Sequence, residues 1–104
     1  MAQTRAGAWR ANHLNIRWLP RAQHDRLEQL DYIARDNPLA AIGQDEQMER
    51  QVNMLLAHPK MGRPGRVAGT RELVISRTRF VVVYRLQGLY IEVLRVLHSA
   101  QQWP

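Results

Sequence analysis

The spacing of apolar residues along this chain switches between two periods, and each switch marks an element. Leu14, Ile16 and Trp18 alternate with polar neighbours and stop at Pro20, as in a short half-buried strand. From Arg21 the spacing lengthens. Leu27, Leu30 and Ala34 fall on one helical face, with Asp25, Glu28 and Asp31 turned elsewhere. Asn37-Pro38 marks a boundary, because Asn caps a helix and Pro suits the first helical turn. A second helix follows with Ala41, Asp45, Met48, Val52 and Leu55 as its stripe, widened by Leu56 and closed by His58-Pro59. The short link between the two helices predicts an antiparallel helical hairpin.

Beyond Gly62 the period returns to two. Leu73-Val74-Ile75 reads as a strand, with a tight polar link through Arg77-Thr78. Phe80 to Leu86 is a second, rich in β-branched and aromatic residues, and Gln87-Gly88 turns it into a third from Tyr90 to Leu97. Short links favour an antiparallel meander. The pattern predicts an α+β domain in the order β-α-α-β-β-β. Its helical hairpin packs on one face of a small, mainly antiparallel sheet and leaves the other face partly open. The domain is expected over residues 14–104, preceded by a flexible arm over residues 1–13.

Composition narrows the chemistry. The 104 residues suit one core, and 45% apolar content suits a folded chain. Fifteen cationic side chains against nine acidic ones give a net charge of +6, and all but Lys60 of the cations are arginine. Guanidinium forks match phosphates and carboxylates, so an anionic partner is expected. There is no cysteine, which removes disulfide and thiolate chemistry and fits a cytoplasmic protein. No run reaches the roughly 18 apolar residues of a membrane helix, and the first 13 residues lack the apolar stretch of a secretory signal.

The candidate site residues lie in the last third. The loop from Gly62 to Arg71 interleaves three glycines with Arg63, Arg66 and Arg71 but lacks the Gly-Lys-Ser/Thr ending of a nucleotide-binding P-loop. It reads as a turn-rich connector or as a basic lip for phosphate or an acidic protein. Arg77, Arg79 and Arg85 add cations around the middle strand. Alternation puts Tyr84 with Phe80 and Val82, and Arg95 with Ile91, Val93 and Leu97. An arginine among apolar neighbours needs a counter-charge, and Glu92 lies on the opposite face.

His98, at the strand end, is the side chain there suited to proton transfer near neutral pH. In an RNA-cleaving reading it serves as general acid or base for attack by a 2′-hydroxyl, with Arg71, Arg77 or Arg79 neutralising the developing charge. Trp103 stacks on a base in that reading, and caps the core edge in a structural one. The histidines have no metal-ligand spacing, and neither metal nor cofactor is expected. Asp45, Glu46 and Glu49 read as a solvated helix face.

From about Leu14 to Pro104 the chain resembles the RelE/ParE superfamily of toxins from bacterial type II toxin–antitoxin pairs. The residues that carry this are Tyr32-Ile33-Ala34 with Asn37-Pro38, the Gly62-Arg63-Pro64-Gly65 loop, and Gly69-Thr70-Arg71-Glu72-Leu73. Val82-Val83-Tyr84-Arg85 and Leu94-Arg95-Val96-Leu97-His98 complete the match. The resemblance implies an acidic antitoxin that wraps and neutralises the toxin in a hetero-oligomer, and growth inhibition when the toxin is free. It also implies one of two targets. ParE-type members poison DNA gyrase, whereas RelE-type members cleave mRNA on the ribosome with basic residues and a C-terminal histidine or tyrosine. Val81 to Arg85 and Leu94 to His98 look closer to ParE, and the lysine cluster of RelE is missing. His98 and Trp103 keep the endonuclease reading open, and a basic nucleic-acid-binding module is a third.

Overall fold

The computed structural model describes residues 13–99 and 101–104, so most of the expected arm lies outside the described residues. Strand β1 (Asn15–Trp18) turns Leu14, Ile16 and Trp18 towards the core, as their alternation requires. Helix α1 (Pro20–Asp36) starts on a proline, which needs no N–H partner at a helix start. A single residue, Asn37, separates it from α2 (Pro38–Asn53). The Asn37 N–H ends α1 on the Ile33 carbonyl, and its side chain accepts from the Ala40 N–H at 3.1 Å to open α2. One short polar residue therefore makes the hairpin. A 3₁₀ turn (Met54–Leu56) follows.

The sheet then builds from the far edge inwards as β2 (Arg63–Pro64), β3 (Arg71–Val74), β4 (Phe80–Gln87) and β5 (Tyr90–His98). Its order is β1-β5-β4-β3-β2, antiparallel except where β1 runs parallel to β5. The chain's first strand thus pairs with its last. The β-α-α-β-β-β order holds, with the two-residue β2 added at the edge and β3 starting at Arg71 and leaving Ile75 outside it.

The core lies between the helices and one sheet face: Ala22, Met48, Val52 and Leu55 against Leu73, Ile75, Phe80, Val82, Tyr84, Ile91, Val93 and Val96. Two expected helix faces are corrected. On α1, Leu27 is exposed and Asp25 is buried, because the inward stripe runs through Ala22, Asp25, Gln29 and Ile33. On α2 the stripe holds, but Leu56 is exposed, since the 3₁₀ turn rotates it out of the α-helical face.

A bulge between β4 and β5 corrects the expected parity of the last strand. Tyr84 pairs with Val93 but Val83 with Arg95, so one residue of β5 is extra at Leu94. Beyond it Val96, not Leu97, continues the core face of Ile91 and Val93. Leu97 joins Val81 and Val83 on the other face, where all three are buried. That face is therefore closed at its centre, and Val74 is exposed near its margin.

Candidate functional site

β1 reaches only as far as Val93 along β5, which leaves the outer edge of the last strand open beyond that point. Helix α1 takes over. The Leu19 N–H donates to the Val93 carbonyl at 3.0 Å, Asp25 Oδ2 accepts from the Val96 N–H at 3.0 Å, and Gln29 Nε2 donates to the Val96 carbonyl at 2.9 Å. Gln101 Oε1 accepts from the His98 N–H at 2.6 Å and closes the row. Polar side chains on the buried stripe of α1 thus stand in for a missing strand.

The same carboxylate meets Arg95. Asp25 Oδ2 lies 2.7 Å from Arg95 Nε, and Asp25 Oδ1 lies 3.2 Å from Arg21 Nε. Burial pushes the Asp25 carboxyl up, but hydrogen bonds from Arg95, the Val96 N–H and Arg21 outweigh it and hold the group below its ordinary value. Asp25 is therefore ionised and committed to the fold. The counter-charge that Arg95 requires comes from this helix, and Glu92 is engaged elsewhere.

Between α1, the β3–β4 hairpin and the end of β5 lies a cleft of about 800 Å³, lined by Arg77, Arg79, Arg95 and His98 with Tyr32 and Gln101. The hairpin that carries two of these arginines is shaped by local hydrogen bonds. The Ile75 N–H donates to the Phe80 carbonyl, while Thr78 Oγ1 donates to the Ile75 carbonyl and accepts from the Phe80 N–H. Arg77 holds the left-handed conformation there, at φ 66°. The Ser99 N–H donates to the Arg79 carbonyl at 2.7 Å, which ties the tail to the hairpin. Among the described residues, neither Arg77 nor Arg79 forms an ion pair.

The other candidate cations stand away from this cleft. Arg71 donates to the carbonyls of Lys60 and Gly62, at 3.2 and 2.6 Å, which removes it from the set expected around His98. Arg63 pairs with Glu72 at 3.0 Å, and the Arg66 N–H also donates to Glu72. The Arg66 guanidinium reaches the Trp103 carbonyl at 3.4 Å, so Trp103 lies beside the glycine loop and not in the cleft. Arg85 pairs with Glu92 at 2.9 Å.

The glycine loop is held as a connector. The Tyr84 hydroxyl accepts from the Gly62 N–H at 3.0 Å and donates to the Pro59 carbonyl at 2.7 Å. A Cβ at Gly62 would lie 2.8 Å from the Tyr84 ring, so only glycine fits. Burial raises the Tyr84 phenol above its ordinary value, which keeps it a neutral structural donor. Asp45 and Glu49, expected to be solvated, grip Arg26 at 2.7 and 2.8 Å, and Arg26 stacks on Trp18. This correction adds a tie between the helices. Asp25, Gln29, Arg17 and Glu92 were not legible as functional positions. Their one signal is polar residues falling on stripes or pairs that burial should have reserved for apolar ones.

Comparison with known proteins adds a further observation. Residues 16–103 match the family described as the ParE toxin of the type II toxin–antitoxin system parDE. A Sinorhizobium fredii protein named "Putative toxin Y4kP" is 40% identical over 90 residues, which cover 86% of this chain and 92% of that protein. A chain from the chromosomal ParDE toxin–antitoxin system of P. aeruginosa superposes with a TM-score of 0.76 at 27% identity, over 84% of this chain and 97% of that one.

Proposed function

The chain belongs to the ParE family of toxins from type II toxin–antitoxin systems, and on that footing we propose that it halts growth by docking on DNA gyrase in the cytoplasm. An acidic antitoxin holds it inactive in a hetero-oligomer. The observation that carries a protein target is the tip of the helical hairpin. Tyr32, Leu39 and Ile42, all within five residues of the Asn37 turn, are 70%, 79% and 57% exposed. Large apolar side chains gathered at one end of a small protein are the mark of a surface that another protein covers. The cleft beside them supplies a polar margin, with Arg77 and Arg79 available for acidic groups.

The endonuclease reading has its own support, since His98 shares the cleft with Arg77 and Arg79. Against it, the groups beyond Arg77 and Arg79 that could share in that chemistry are committed elsewhere. Asp25 is held charged by Arg95 and the β5 edge, Arg71 is bound to loop carbonyls, and the Tyr84 hydroxyl is bound within the fold. Expression without antitoxin, with DNA and protein synthesis pulse-labelled separately, tests the choice. Gyrase docking predicts early failure of DNA synthesis with DNA breaks, and a His98→Gln variant as toxic as the wild type. Early collapse of protein synthesis over intact DNA, abolished by His98→Gln, would replace gyrase with the ribosome and its mRNA.

A further inference from the structure

Charge is divided unequally over this molecule. Seven of the nine carboxylate side chains lie on the two helices, between Pro20 and Asn53. From Met54 to Pro104 the chain carries eight cationic side chains and only two acidic ones, Glu72 and Glu92. Both glutamates stand on the sheet face turned away from the helices, since each alternates with core residues of its strand. Both are also covered by arginine.

Arg17, Glu92 and Arg85 are register neighbours across β1, β5 and β4. Glu92 Oε2 holds Arg17 Nη1 at 3.0 Å and Oε1 holds Arg85 Nε at 2.9 Å, while Arg17 also lies 3.6 Å over the Tyr90 ring. On β2 and β3, Arg63 and Glu72 repeat the arrangement, with Arg63 Nε and Nη2 both directed at Glu72 Oε1. The carboxylates are nearly hidden, at 7% and 10% side-chain exposure, whereas Arg17, Arg85 and Arg63 are 46%, 44% and 61% exposed. A solvent-side ligand therefore meets guanidinium groups and little of the acid beneath them. Each fork has five N–H donors and uses only one or two on its glutamate, so most of each fork faces outwards.

We propose that this face of the sheet binds the phosphate backbone of duplex DNA, with Arg17, Arg85 and Arg63 as contact residues. Glu92 and Glu72 position them by fixing their forks on strands that cannot shift. Neighbouring strands are roughly 4.8 Å apart, so Arg17 and Arg85 are rooted about 10 Å from one another on a rigid base. Repeated cations on a flat support suit the repeated charges of a duplex. An acidic peptide would require apolar anchors set among the arginines, and at the centre of this face Val81, Val83 and Leu97 are buried, with Val74 and Tyr90 exposed towards its margins. A single strand would require a bare ring for base stacking, and Tyr90, the ring beside the Glu92 row, is covered by Arg17. This surface is on the sheet face turned away from the helices that carry the tip assigned to the protein target, and its test does not depend on that target.

The test is fluorescence anisotropy of the full-length toxin with a labelled duplex across a salt series. Wild-type binding should weaken steeply with salt. Arg17→Gln with Arg85→Gln should lower affinity about tenfold and flatten the log–log salt slope by roughly 1.8, the equivalent of two phosphates. Arg77→Gln with Arg79→Gln removes the same charge from the cleft and should change affinity by less than about threefold. If the first pair does not fold, Arg63→Gln alone should flatten the slope by about 0.9. An unchanged slope in Arg63→Gln overturns the proposal, as does an equal loss in the two paired variants. Absence of wild-type binding at about 50 mM salt, or binding to polyglutamate or single strands in place of duplex, overturns it too.

Discussion

Two buried carboxylates, Asp25 on the helical side of the sheet and Glu92 on the other, each lie between two arginines. Their surroundings differ in one respect. Asp25 also accepts the Val96 N–H, so it belongs to the backbone ladder of the sheet, while the hydrogen bonds of Glu92 are to side chains. The same charged groups, one carboxylate to two guanidiniums, therefore do different things. Around Asp25 they close an edge of the fold; around Glu92 they arrange a surface. An ion pair acquires a structural or a binding role from what else its carboxylate holds.

Removing Asp25 should break that comparison most visibly. Asp25→Ala leaves Arg95 without its partner and the Val96 N–H unsatisfied, at a cost of about 3 kcal/mol. Chemical denaturation reads the loss, and hydrogen exchange should show faster exchange at Val96. A loss below about 1 kcal/mol would mean that water replaces the carboxylate and that α1 does not close the edge.

Acid should separate the two groups more gently. Glu92 is held below its ordinary value chiefly by the Arg85 hydrogen bond, with Arg17 adding to it against the opposing effect of burial. Asp25 is lowered as well. A lowered carboxylate stabilises the fold above its unfolded pKa, near 4, and that contribution is lost as pH falls through the native value. Wild-type stability should thus decline below about pH 4, and Asp25→Asn should show a shallower decline in pH-dependent melts. An unchanged acid limb in that variant would show that other carboxylates govern it.

The smallest effect is expected from Glu92→Gln. Its amide keeps the shape and part of the hydrogen bonding, and no backbone group loses a partner. Its melting temperature should fall less than that of Asp25→Asn. A larger fall would make the Glu92 row a pillar of the fold and weaken its reading as a binding surface.

Much of this architecture was legible in the chain because it rests on local rules. Alternation in Leu14, Ile16 and Trp18 revealed β1, Asn37-Pro38 revealed the hairpin, and the Phe80–Leu86 and Tyr90–Leu97 runs revealed the paired strands. What escaped depends on distant partners. The bulge at Leu94 has no local mark, and it alone moves Leu97 off the core face. Asp25 looked solvated because its reason for burial, the Val96 N–H, is 71 residues away. β2 is two residues long and contains a proline, so it exists only as an edge of β3. Of the candidate site, Arg77, Arg79, Arg95 and His98 do converge in the cleft, while Arg63, Arg66, Arg71, Arg85 and Trp103 line other surfaces.

The pairing of β1 with β5 also has a consequence for when the fold can close. A ribosome making this chain delivers β1 and both helices first, but the strand they pack against comes last. Such long-range pairing is slow to form. Until Tyr90–His98 has emerged, the helices have no β5 to cover and the cleft has no floor. A nascent or prematurely terminated chain therefore lacks the strand its helices pack against, and the complete fold exists only after synthesis has passed His98.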